Sequence, residues 1–170
     1  MIETITRPRR HVAWQWPLRT ARVATAVGLA IDAYVHFDLA ATYAESGGAI
    51  NEGALFRVEA VLAVLSAVVV IASGRLSALL TGLVVAGSAL TVMLVSRYAY
   101  IGPIGPFPSL YDPVWYPEKL LAAFAEGAAT LTALAAVVVT VWTRRTQRPA
   151  KALIRATAEQ RNKPAGGMPA

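Results

Sequence analysis

Two titratable side chains, Asp32 and His36, lie one helical turn apart inside a long apolar segment. Residues four apart share one face of a helix. Asp32 follows Arg22 by roughly 15 Å at a rise of ~1.5 Å per residue, near the middle of a hydrocarbon layer of ~30 Å. A charge at that depth costs about 2.5–3.5 kcal/mol. Because burial disfavours charged carboxyl and imidazole groups, such a pair could exchange protons near neutral pH.

Further charged residues fall at comparable depth in the other apolar segments: Arg57, Glu59, Arg97, Lys119 and Glu126. With Asp32 and His36 they form a predicted intramembrane cluster of mixed charge. One interpretation is a site for a proton, an ion or a small solute, with Asp32, His36 and Glu126 as titrating or liganding groups. The other is structural, with charges that pair between helices and hold the packing. The sequence leaves both interpretations open.

Several other kinds of chemistry are excluded or disfavoured by residue type. The chain has no cysteine, which removes disulfides, thiolate metal sites and cysteine nucleophiles. One intramembrane histidine without a Glu-x-x-His motif disfavours a tight transition-metal site, and His11 lies in the basic N-terminal segment. Asp32 and His36 share one helix and no serine stands in a nucleophile elbow, so hydrolysis is unsupported. We therefore predict no metal, no cofactor and no catalytic residue.

The elements that carry these residues are long apolar segments. Hydrophobic residues make up 56 % of the 170 residues and charged residues only 15 %, whereas a soluble domain has about 25 % charged residues. A membrane-spanning helix needs about 20 apolar residues, and four segments qualify: about 18–43, 53–73, 76–98 and 117–142. The first is too long to be a signal peptide. The predicted fold is all-α, a four-helix transmembrane bundle running up-down-up-down.

Basic residues predict the orientation of this bundle. Thirteen of the 16 Lys and Arg residues lie on one side, and such a side faces the cytoplasm. They are Arg7, Arg9, Arg10, Arg19, Arg22, Arg75, Arg144, Arg145, Arg148, Lys151, Arg155, Arg161 and Lys163. Both termini are therefore predicted to be cytoplasmic, and the loops at 44–52 and 99–117 to lie outside. The net charge of +6 thus reflects membrane topology, and no nucleic acid is expected as a partner.

The segments outside the helices are predicted to be a basic cytoplasmic segment at 1–17 and a basic cytoplasmic tail at 143–170. Within the tail, 149–161 reads either as a short amphipathic helix on anionic lipid headgroups or as a solvated positive segment. Lys163–Ala170 is rich in Gly and Pro and is predicted to be disordered. The lipid bilayer is the expected partner, together with another membrane protein or a second copy of the chain.

Three stretches carry a family resemblance: DAYVHFDLAATY, GALFRVEAVLAVLSA and EKLLAAFAEGAATL. They resemble a group of small, uncharacterised actinobacterial four-helix membrane proteins, over about residues 20–140. The matching positions are His36, Leu39, Tyr43, Gly53, Leu55, Phe56 and Glu126. More distantly, the layout is similar to DoxX-like proteins, some of which are linked to quinone-coupled sulfur oxidation. No DoxX catalytic residue is matched.

The function expected from the sequence is that of an accessory or interaction subunit of the bacterial cell membrane without catalysis of its own. The rival is a proton-coupled carrier or ion-binding protein that uses Asp32 and His36. A quinone-linked oxidoreductase subunit follows only from the DoxX resemblance.

Overall fold

The computed structural model describes residues 15–45 and 49–161, and it is helical throughout apart from the connections. The helices are α1 (Gln15–Thr42), α2 (Glu52–Ser73), α3 (Leu76–Tyr98) and α4 (Pro117–Arg161). Each contains a stretch long and apolar enough to cross a membrane, which confirms the four predicted spans. The predicted disorder of Lys163–Ala170 falls outside the described residues, as does most of the N-terminal segment.

The helix ends follow from local chemistry. The side chain of Asn51 accepts a hydrogen bond from the backbone N–H of Ala54 at 2.7 Å and caps α2. Gly74 ends α2 in the left-handed conformation, with φ of 54°, which a residue without Cβ adopts without strain. Pro117 begins α4, where its missing N–H leaves no hydrogen bond unmade.

The chain divides into two compact units, Met1–Val137 and Val138–Ala170, and α4 runs through both. The second unit differs from the prediction. We expected the spanning helix to end at about residue 142, with a short amphipathic helix or a solvated positive segment at about 149–161. The helix instead continues to Arg161 without interruption. Lys, Arg, Gln and Ala are good helix formers, so the loss of hydropathy after Trp142 does not end the helix.

Small residues fill the interior of the first unit. The buried positions are mainly alanines, among them Ala33, Ala60, Ala63, Ala86 and Ala129, around the larger Leu29. Large apolar side chains instead point outward, for example Val58, Leu65 and Val68 of α2, which are 56–59 % exposed. A water-soluble helix would bury such side chains. The fold is therefore that of a multi-pass membrane protein whose apolar faces suit lipid.

Close backbone contact brings α1 against both α2 and α4. A Cβ built on Gly28 would lie 2.7 Å from the carbonyl oxygen of Ala125 and 2.9 Å from the Cβ of Ala129. On the other side of α1, a Cβ on Gly53 would collide with the backbone of Ala40. Glycine at these two positions lets the helices approach closely, which places polar side chains of α1 within reach of those of its neighbours.

Candidate functional site

Asp32 lies in the middle of α1 and is completely buried. His36 follows one turn later, with its side chain 11 % exposed. The Nδ1 atom of His36 lies 2.8 Å from Oδ1 of Asp32 and 3.1 Å from the backbone carbonyl oxygen of the same residue. Because the carbonyl oxygen can only accept a hydrogen bond, Nδ1 carries the hydrogen and donates it. The lone pair of the neutral imidazole is then on Nε2.

Glu126 reaches the same place from α4 and is 1 % exposed. One potential ligand atom from each of Asp32, His36 and Glu126 lies within 4.8 Å of those of the other two. Oδ2 of Asp32 and both carboxyl oxygens of Glu126 are buried without a hydrogen-bond partner among the described residues. Buried polar atoms are nearly always hydrogen-bonded, so three such oxygens in one place need an explanation.

Glu59 brings a third carboxyl group from α2. Its Oε1 atom is also buried and without a hydrogen-bond partner in the described part of the chain. Next to it along α2, the ring of Phe56 meets that of His36 edge to face, with centroids 5.3 Å apart. The aromatic contact holds the imidazole in place. We call Asp32, His36, Glu59 and Glu126 the buried acidic cluster.

A cavity of about 430 Å³ extends from this cluster towards the end of the unit where α1 and α3 end. His36 and Glu59 line it, and Phe56, Tyr43 and Tyr116 add aromatic walls. Such a pocket, mostly apolar with a few converging polar groups, is typical of ligand-binding sites. The cavity therefore offers a route or a resting place for a solute next to the buried acidic cluster.

Two polar contacts close the wall of the cavity. The hydroxyl groups of Tyr43 and Tyr116 are 3.1 Å apart, which joins the end of α1 to the residue before α4. Burial and the neighbouring Tyr43 hydroxyl raise the pKa of Tyr116 above its ordinary value, so this phenol stays neutral. Lys119 lies 3.0 Å from Oδ2 of Asp112 and donates to the carbonyl oxygen of Asp112 at 2.6 Å.

The seven residues of the predicted mixed-charge cluster do not stay together. Asp32, His36, Glu59 and Glu126 converge, whereas Lys119 pairs with Asp112 of the α3–α4 connection. Arg57 is exposed. Arg97 is half-buried, with its guanidinium 5.2 Å from the centroid of the Tyr98 ring. In the part of the chain that the structure describes, no ion pair joins Arg57, Lys119, Glu59 and Glu126 to one another.

Sequence reasoning missed Asp112, the partner of Lys119. Asp112 lies in the irregular segment between α3 and α4, where its backbone N–H donates to the carbonyl oxygen of Ser96 at 3.0 Å. Helical periodicity does not apply to an irregular segment, so it could not predict that Asp112 lies next to Lys119. The only available signal was its position seven residues before a buried lysine.

Comparison with known proteins finds no family model, no curated protein and no solved structure that matches this chain. The actinobacterial and DoxX-like resemblance therefore stays a prediction. The buried acidic cluster and the adjoining cavity are the features of this chain from which a function can be inferred.

Proposed function

We propose that this protein is an ion-binding protein of the bacterial cell membrane that takes up and releases protons or cations at the buried acidic cluster. One observation carries the proposal. Two carboxyl groups and one imidazole, from α1 and α4, converge in a membrane-spanning unit, and Glu59 of α2 lines the adjoining cavity together with His36. No Lys or Arg side chain pairs with these four residues among the described residues.

The physical reason is charge balance. A single charge in the bilayer centre costs about 2.5–3.5 kcal/mol, and neighbouring like charges add repulsion. Burying a carboxyl oxygen without a hydrogen bond costs a further ~1–3 kcal/mol. A purely structural cluster relieves these penalties with a paired cation or with hydrogen bonds. Within the buried acidic cluster, the imidazole of His36 lies 2.8 Å from Oδ1 of Asp32, whereas Glu59 and Glu126 have no Lys or Arg partner among the described residues. One imidazole cannot balance three carboxyl groups, so protons or a bound cation must neutralise the rest.

The cavity supports exchange with the surroundings. It reaches His36 and Glu59, and these two residues adjoin the deeper Asp32 and Glu126. An ion or proton that enters the cavity therefore meets the half-buried groups first and the fully buried pair second. This order suits a carrier or an ion-binding protein that uses Asp32 and His36.

An accessory subunit, the first expectation from the sequence, would use charges as interhelical links. The contacts do not favour that role for Glu59 and Glu126, because neither has a cationic partner in the described residues. A quinone-linked subunit rests on the DoxX resemblance alone, and no contact in the site adds to it.

The proposal includes an orientation. Both termini are cytoplasmic, the helices run up-down-up-down, and the cavity opens to the outer side. Two contacts support alternating directions, since Arg22 near the start of α1 donates to the Val70 carbonyl oxygen near the end of α2, and Tyr43 after α1 meets Tyr116 before α4. The excess of Lys and Arg on one side supports the cytoplasmic assignment. A reporter fused after Ala170 should report cytoplasm, and a periplasmic signal would refute the orientation.

Proton flux in proteoliposomes tests the function. The purified protein is reconstituted with a pH-sensitive dye inside the vesicles, and an inward proton gradient is applied. We expect flux above that of empty vesicles, and Asp32→Asn should abolish it. The matched control is Asp38→Asn, which changes an exposed carboxyl on the same helix and should leave flux unchanged. Normal flux in a folded Asp32→Asn protein would refute the proposal.

A further inference from the structure

We propose that Asp32, His36 and Glu126 bind one divalent first-row transition-metal ion. This inference rests on the proposed function and names the cation that the site takes. The donors come from two helices, with Asp32 and His36 on α1 and Glu126 on α4, and their ligand atoms lie within 4.8 Å of one another.

The two carboxyl groups are buried and largely unpartnered. Asp32 is 0 % exposed and Glu126 is 1 % exposed. Oδ2 of Asp32 and both carboxyl oxygens of Glu126 lack a hydrogen-bond partner among the described residues, and Oδ1 of Asp32 faces Nδ1 of His36 at 2.8 Å. Oxygens in that state, close together at the α1–α4 contact, are available to bind a cation.

The charge of Asp32 and Glu126 favours a divalent cation. Two carboxylates carry a charge of −2, which one divalent cation cancels, whereas a monovalent cation leaves a net negative charge in the hydrocarbon layer. Two protons achieve the same balance. Entry of the metal therefore releases protons: when both acids are protonated, two carboxyl O–H bonds break, two metal–oxygen bonds form and two protons leave. Ligands must be deprotonated to bind a metal, so affinity and proton release are linked.

The distances between the ligand atoms are close to those of a bound ion. Metal–ligand bonds for nitrogen and carboxylate oxygen are about 2.0–2.2 Å long, so two ligand atoms of a tetrahedral site are about 3.3–3.6 Å apart. In the structure the three ligand atoms lie within 4.8 Å of one another, and Nδ1 of His36 and Oδ1 of Asp32 are 2.8 Å apart. Side-chain movements of about 1 Å bring them to the separation of a tetrahedral site.

The imidazole of His36 is positioned to complete the site. Its Nδ1 atom lies 2.8 Å from Oδ1 of Asp32 and is therefore the ring nitrogen that faces the carboxyl groups. Binding of the ion at Nδ1 requires the other neutral tautomer, in which the hydrogen is on Nε2. The edge contact of Phe56 limits rotation of the ring in addition.

The donor set decides the class of metal. Imidazole nitrogen suits Zn²⁺, Fe²⁺ and related ions, and carboxylate suits Mn²⁺ and other hard cations. A set of one nitrogen and two carboxylates therefore selects first-row divalent ions over Ca²⁺ and Mg²⁺, which prefer oxygen alone. Glu59 has a buried Oε1 without a partner in the described residues and is available as a further ligand. The sequence argued against a metal because it counted histidine and cysteine and could not show two buried carboxyls converging.

Calorimetry on the full chain in detergent tests the site, with any polyhistidine tag removed and with Zn²⁺ and Mn²⁺ as the probes. We expect one ion per chain, and titrations in buffers of different ionisation enthalpy should show release of up to two protons. Asp32→Asn and Glu126→Gln should each weaken binding by at least about tenfold, because loss of an outer-shell partner alone costs roughly 10–100-fold. The controls Asp38→Asn and Glu118→Gln change exposed acids on the same two helices and should bind normally.

A second measurement does not depend on variants that fold. Mn²⁺ bound to the unaltered protein should show coupling to a ¹⁴N nucleus in electron spin-echo spectra, and His36→Gln should remove that coupling. The site is refuted if neither ion binds, if bound Mn²⁺ shows no nitrogen coupling, or if binding is unchanged in Asp32→Asn and Glu126→Gln. Proton flux that depends on Asp32, without metal binding, would overturn the metal site and leave the proposed function standing. Metal binding without proton flux would leave the metal site standing and refute proton transport through the buried acidic cluster.

Discussion

At Gly28, α1 and α4 are in close contact beside the buried acidic cluster, and replacement of this glycine by alanine should separate the two helices. The added Cβ would lie 2.7 Å from the Ala125 carbonyl oxygen and 2.9 Å from the Ala129 Cβ. An ordinary van der Waals contact begins at 3.4 Å, so the helices must move apart by about 0.7 Å. The carbonyl oxygen of Ala125 belongs to the helix backbone and the Cβ of Ala129 is fixed to it, so neither atom can move away by a side-chain rotation.

The energetic consequence follows from overpacking, which costs about 1–3 kcal/mol. Gly→Ala in a helix interior contributes a stabilisation of roughly 0.5–1 kcal/mol on its own. Gly127→Ala supplies the matched control, because a Cβ at that position of α4 has nothing within 4 Å. The propensity gain is then the same in both variants, and the difference between them isolates the clash.

We therefore expect Gly28→Ala to be less stable than Gly127→Ala by about 1–3 kcal/mol in denaturant unfolding in detergent micelles. The same change moves Asp32, one turn away on α1, relative to Glu126, which directly follows Ala125. Proton flux and metal affinity should therefore fall in Gly28→Ala and stay normal in Gly127→Ala. Equal stability of the two variants would show that α1 and α4 are not in the tight contact described, and the geometric basis of the site would fail with it.

Two further predictions concern the cavity wall. Lys119→Met removes a buried ammonium group and the ion pair with Asp112, so we expect the free energy of unfolding to fall by about 1–3 kcal/mol. Lys119→Arg keeps the positive charge and should lose less stability. An unchanged melting curve for Lys119→Met would contradict the pairing. Tyr43→Phe removes the hydrogen bond between the hydroxyl groups of Tyr43 and Tyr116 and should lower the free energy of unfolding by roughly 0.5–1.5 kcal/mol. The control Tyr34→Phe, at a residue 68 % exposed, should leave it unchanged. Equal effects of the two substitutions would argue against the hydrogen bond between Tyr43 and Tyr116.

The predicted spans agree with the helices to within three residues at their starts, and the ends of the first three agree to within one. This agreement has a simple physical reason. In hydrocarbon every backbone polar group must be bonded within the segment, so a long apolar run has to be helical. The end of α4 was not predicted. The fall in hydropathy after Trp142 indicates where the chain leaves the hydrocarbon layer, but the helix itself continues to Arg161.

The candidate site could be predicted in part. Spacing placed Asp32 and His36 on one helical face, and depth marked them and Glu126 as groups that need compensation. Pairing partners could not be predicted, since Lys119 could reach Glu126 on its own helix face as well as Asp112 in the irregular segment. The folded connection between α3 and α4 places Asp112 next to Lys119. Glu126 therefore has no lysine partner and lies close to Asp32 and His36.

Taken alone, the amino-acid sequence determined the all-helical class, the four apolar spans and the presence of titratable groups at membrane depth, because each of these follows from composition and from contacts within one helix. Only the tertiary structure decided which of those groups meet. Gly28 and the alanines of α4 allow an approach close enough for Asp32 and Glu126 to share one buried space. The convergence of Asp32 and Glu126 depends on the distance between α1 and α4. The periodicity of the sequence does not determine that distance.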